Sequence, residues 1–237
     1  MIEDGSACIY CGATDDLTDD HVPPENIFPK PKSSDLITVP ACKPCNRGFS
    51  LDNEYFRIAI LGPAALRSPV ARALWEGPVE RGLRRSVDRE APFATEFLLS
   101  RRESEVKDAT GRVIGTSVGR RIEPARIDRT VARIVRGLLW HKHRYRLSRQ
   151  AAFNVTMGPR IGGAASEQPD YIADQILPAD APLRSIGGGI FEYRYRILDN
   201  QLEHSDWFLR FYGLMTFWVS VVPESAAPPT DSCQPMR

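Results

Sequence analysis

Residues 40–46 read PACKPCN, and this stretch decides how the first quarter of the chain is read. Its pair Cys42/Cys45 answers an earlier pair, Cys8/Cys11 in CIYCG, with 30 residues between them. Cysteines separated by two residues on a tight turn point their thiolates at one metal ion more readily than they reach a distant partner, and four such thiolates match the closed tetrahedral shell of structural Zn²⁺. A redox CxxC is the competing use of the motif, but two pairs in one short segment favour zinc. Cys233 is left over in the tail ESAAPPTDSCQPMR. The opening MIEDGSACIY carries no positive run followed by an apolar one, so the expectation is a cytoplasmic chain, where disulfides are rare.

Local signals around the cysteines complete a small module. Gly12 supplies the turn of the first knuckle, and LITV, residues 36–39, is a short β-type run leading into the second. Ser50 then caps a helix over roughly Leu51 to Leu61, which Gly62 and Pro63 end. Knuckle, strand, knuckle and helix make a treble-clef arrangement. About 60 residues rich in Pro and Asp bury too little apolar surface to hold it without metal.

Beyond Pro63 the sequence reads as a larger α+β domain, so the expected division is 1–62 and 63–237. Ser68 to Ser86 predicts one or two helices interrupted at Gly77 and Pro78, and SEVKDATGRVIGTSV predicts a hairpin turning at Thr110 and Gly111. Ile127, Val131, Ile134, Val135 and Leu138 follow helical spacing behind Pro124. At the C-terminal end, GGGIFEYRYRIL and WFLRFYGLMTFWVSVV predict antiparallel strands. No apolar run approaches the roughly 20 residues that cross a bilayer, so no membrane partner is expected.

The net charge of +1 conceals a basic segment: residues 120–149 hold ten Lys/Arg against two Asp/Glu. Arg129, Arg133 and Arg136 share one helix face, and with Lys142, Arg144, Arg146 and Arg149 they form an expected track for phosphates, flanked by Trp140 and Tyr145 for stacking. Ion pairs with the acidic outer parts of the chain are the alternative for these arginines.

Between the cysteine pairs lies TDDHVPPENIF, residues 18–28. Phosphodiester hydrolysis needs a base for water near neutral pH and a cation against the charge that builds on phosphate. Histidine suits the first task, while one carboxylate and one amide suit Mg²⁺ or Mn²⁺ for the second. His21, Asp20 and Asn46 offer that set. Adjacent residues on a strand face opposite sides, so Asp20 and His21 must have different roles.

The order Cys-x-x-Cys, Asp-His followed by proline, then Cys-x-x-Cys-Asn resembles that of the HNH endonucleases, the zinc-stapled ββα-metal nucleases, over roughly residues 5–60. The resemblance implies structural zinc on Cys8, Cys11, Cys42 and Cys45, a catalytic divalent ion on Asp20 and Asn46, and His21 as general base. It also implies DNA as substrate and a setting in restriction or defence, with a homodimer or rebinding where both strands are cut. The family's middle asparagine has no counterpart in SSDLITVP. Asp52 and Glu54 are expected in a solvated first helical turn. A non-catalytic zinc module that binds nucleic acid or a protein partner is the alternative.

Overall fold

The computed structural model describes residues 7–88, 100–108, 110–120, 122–158, 177 and 181–223. Strands β1 (Leu17–Val22) and β2 (Ile37–Cys42) form an antiparallel hairpin in which Asp20 faces Val39 and His21 faces Thr38. Helix α1 (Lys43–Gly48) starts directly after Cys42 with Pro44 in its first turn, where the missing N–H costs nothing. Cys45 and Asn46 ride on this helix. In α2 (Ser50–Ala64), Phe49 takes the cap position expected of Ser50, whose hydroxyl instead donates to the Arg47 carbonyl at 2.8 Å. The helix runs through Gly62 and Pro63 rather than stopping there. A proline near the last turn removes one donor, which burial of Leu61 and Ala64 outweighs.

Helix α3 (Pro69–Leu74) is capped by Ser68, whose hydroxyl accepts the Ala71 N–H at 3.2 Å. The interruption expected at Gly77 and Pro78 is a single wide turn, Trp75–Val79, that leads into α4 (Glu80–Asp88). Strands β3 (Arg101–Lys107) and β4 (Val113–Arg120) make the expected hairpin, and the Asp108 carboxylate accepts the N–H groups of Thr110 and Arg112 at its turn. Helix α5 (Pro124–His143) is the basic helix. The strands β5 (Ala152–Met157), β6 (Arg184–Ile186), β7 (Phe191–Leu198), β8 (Gln201–Phe211) and β9 (Met215–Val222) form an antiparallel sheet in the order β5-β9-β8-β7-β6.

One apolar cluster runs through these parts. It joins Phe191, Trp207, Phe211 and Phe217 of the sheet to Val131, Ile134 and Leu138 of α5, Phe56 of α2, and Val22 and Val39 of the hairpin. Phe56 meets Phe211 edge-on at 5.2 Å, so the division expected at residues 62 and 63 falls inside α2, with shared core on both sides. Gly137 lets α5 reach β1: a Cβ there would lie 2.5 Å from a Val22 methyl. Only glycine permits that approach, and it lays the basic helix across the strand that carries Asp20 and His21.

Candidate functional site

The Sγ atoms of Cys8, Cys11, Cys42 and Cys45 all lie within 4.8 Å of one another. Four sulfurs bound tetrahedrally to zinc at about 2.3 Å stand roughly 3.8 Å apart, so the donor set fits that ion. The closest pair, Cys11 and Cys42 at 3.5 Å, is far too long for the ~2.05 Å bond of a disulfide. The knuckle geometry is local. Gly12 at φ +85° closes a turn in which its N–H donates to the Cys8 carbonyl, and the Ile9 N–H donates to Pro40 O at 3.0 Å, seating the knuckle on the outer edge of β2. Burial opposes ionisation of Cys11, but the Ala13 N–H and the neighbouring thiols outweigh it and bring Cys11 to about 7. Burial and the same neighbours push Cys45 up. Burial raises Cys42 as well, so a cation bound in the cluster would favour the thiolates of Cys42 and Cys45.

Alternation along β1 separates its two acid-base residues. Asp20 points inward and is 4% exposed. Its Oδ2 accepts the Tyr10 hydroxyl at 2.7 Å and lies 3.6 Å from Nε of Arg133, itself 3% exposed. The Arg133 guanidinium stacks on Phe49, 4.6 Å from the ring centre, and its Nε and Nη2 have no hydrogen-bond partner. Burial, followed by the Asp20 charge, holds the Tyr10 hydroxyl well above the usual range, so Tyr10 stays a donor. His21 is half-buried on the other side and, among the described residues, enters no hydrogen bond or ion pair. The Asn46 amide nitrogen donates to Thr18 Oγ1 at 3.0 Å and to the Asp19 carbonyl at 3.2 Å, fastening α1 to β1 two residues before His21.

The arginine track is engaged within the chain along most of its length. Asp52, expected in a solvated turn, is clamped by Arg126 and Arg129 at 2.8 and 2.7 Å. The two arginines outweigh the effect of burial and hold the Asp52 carboxyl below its ordinary value. Glu54 pairs with Arg57 at 2.7 Å. Arg133 lies under Asp20, and Arg136 donates to the carbonyls of Leu147 and Ser148 while lying over Phe153. Burial brings Arg136 down to about 10. The physical reason is shared: a helix packed on a hairpin and a sheet turns most of its circumference inward, and arginine is the cation best able to satisfy carboxylates and carbonyls there.

The last turn of α5 differs. Lys142, His143 and Arg144 are exposed, with Arg144 lying over Trp140 at 4.4 Å. An open groove of about 600 Å³ runs between Asp19, Thr38 and Pro40 of the hairpin and Trp140, His141 and Arg144 of the helix.

Tyr10, Thr18 and Arg184 join the expected residues only through the fold. The CIYC knuckle itself contains Tyr10, a polar aromatic between two ligands, which was an available signal. Arg184 had none, since only the sheet brings it to the helix. Comparison of the chain with models of protein families, with curated proteins and with solved structures returned no match.

Proposed function

We propose that the chain is an endonuclease of the zinc-stapled ββα kind that hydrolyses DNA, with His21 as its general base. The observation that carries this reading is the disposition of His21. It is half-buried and, among the described residues, without a hydrogen bond or ion pair, on a strand that Asn46 ties to α1 within a module that four cysteines can fasten. In that role an imidazole nitrogen takes a proton from water, the resulting hydroxide attacks phosphorus in line, and the P–O bond to the leaving sugar oxygen breaks. The leaving oxygen takes its proton from solvent.

The pair assigned to Mg²⁺ or Mn²⁺ does not fit such an ion in the described arrangement. Asp20 is covered and faces Arg133, so a cation there requires Arg133 to release it. That same contact favours a second reading, a non-catalytic zinc module that binds nucleic acid, in which Asp20 has a purely structural role.

A plasmid-nicking assay on zinc-loaded protein, with and without Mg²⁺ or Mn²⁺, separates the two. Nicking that requires the added ion supports the nuclease. Binding without nicking under either ion supports the zinc module.

A further inference from the structure

The last turn of α5 and the short strand β6, some 40 residues apart in sequence, bring Lys142, His143 and Arg184 together. His143 Nε2 lies 2.9 Å from the Tyr195 hydroxyl, and the Arg184 guanidinium stands 6.0 Å from the centre of the same ring. Tyr195 in turn stacks on Trp207 at 4.3 Å, which makes the floor of the cluster rigid. Arg184 Nε is buried without a hydrogen-bond partner.

Burial and then Arg184 hold Lys142 below the ordinary lysine value, while burial, Arg184 and Lys142 lower His143. Among the described residues, no carboxylate forms an ion pair with Lys142 or Arg184. A cation at a helix C-terminus is favoured by its dipole, but that accounts for Lys142 alone. Arg184 comes from the sheet and sets a second positive charge against Lys142, which a bound anion would offset.

We propose that Lys142, His143 and Arg184 form a binding site for the phosphate backbone of DNA. The site lies at the end of α5, the helix that contributes Trp140, His141 and Arg144 to the groove. The far wall of the groove includes Thr38, the register partner of His21. The identity of the polymer rests on the nuclease reading; the anion site rests on the cluster.

The test is fluorescence anisotropy of full-length, zinc-loaded protein on labelled duplexes of unrelated sequence, without added Mg²⁺ or Mn²⁺, over about 50 to 200 mM salt. Lys142→Gln/Arg184→Gln should weaken binding equally on every sequence and reduce the log-log salt slope by about 1.8, roughly 0.9 per lost phosphate contact. Arg184→Lys, which keeps the charge, should retain the slope, and this guards against a merely misfolded double variant. An unchanged slope in the folded double variant overturns the proposal. So does wild-type protein that binds inorganic phosphate or anionic vesicles at this cluster but shows no salt-dependent DNA binding. His21→Ala should keep the full slope, so failure of the base assignment and failure of this site are read separately.

Discussion

The hairpin of β1 and β2 and the sheet of β5 to β9 are both antiparallel, yet different forces hold them. The sheet is fastened by rings: Phe191 on Phe211 at 4.8 Å, Tyr195 on Trp207 at 4.3 Å, and Phe56 reaching in from α2. Fully burying one such ring stabilises by about 2–3 kcal/mol. The hairpin has two strands of six residues, too small to stand alone in water, and it relies on four thiols, the Tyr10–Asp20–Arg133 contact and the helix laid over it. The difference bears on the proposed function, in which a base must meet water and substrate: a strand fastened on one side by the thiol cluster and the Asp20–Arg133 contact leaves His21 half-buried on the other.

Removing zinc should have the largest effect. Structural zinc supplies about 10–16 kcal/mol of apparent binding energy that is also folding energy. Chelation, or Cys42→Ser with Cys45→Ser, should therefore abolish amide-exchange protection across β1, β2 and α1 while the centre of β8 stays protected. Elemental analysis should find about one zinc per chain. Hairpin protection that survives metal loss would erase the contrast between the two regions.

Next in size is Arg133→Met, which strands the Asp20 carboxylate in a buried site. The expected loss is about 3–5 kcal/mol in denaturant unfolding, with much of it recovered in Asp20→Asn/Arg133→Met, where neither charge remains. Phe211→Ala in the sheet should lose a similar 3–5 kcal/mol, but through a cavity, with no charge partner able to restore it. Equal recovery in both regions would show that the hairpin is held by packing as well.

A smaller effect belongs to the seam between α2 and α5. The folded Asp52 carboxyl ionises more readily than its unfolded counterpart, so the unfolded chain binds more protons as pH falls through the ordinary carboxylate range near ~3.9. The stability contributed by the Arg126 and Arg129 contacts is thus full at neutral pH and is lost as pH falls through the lowered value. Asp52→Asn should cost about 1–2 kcal/mol at pH 7 and remove this part of the acid dependence. A parental acid profile in that variant would assign the dependence to other carboxylates.

The four-cysteine cluster was legible because paired CxxC spacing brings thiols to one point, and the strands of the sheet because alternating aromatics such as Phe191, Tyr193 and Tyr195 announce an inward face. Element boundaries gave way where tertiary burial overrode a local stop, as at Gly62 and Pro63. The charge map left phosphate contacts and ion pairs both open for Arg129, Arg133 and Arg136, because their partners Asp52, Asp20 and the carbonyls of Leu147 and Ser148 are chosen by packing. Arg184 was invisible for the converse reason. Nothing in APLRSIGGG distinguishes it until β6 pairs with β7.

Supercoiled plasmid incubated with zinc-loaded wild-type protein and His21→Ala, in Mg²⁺ or Mn²⁺, tests the proposed chemistry most directly. His21 touches neither the four thiols nor the Asp20 contact, so the variant should keep its zinc, its fold and its DNA binding. Wild type should convert supercoiled to nicked plasmid, and His21→Ala should do so about 10²- to 10⁴-fold more slowly. A variant that nicks at the parental rate, or a wild type that nicks under neither ion, would contradict the account.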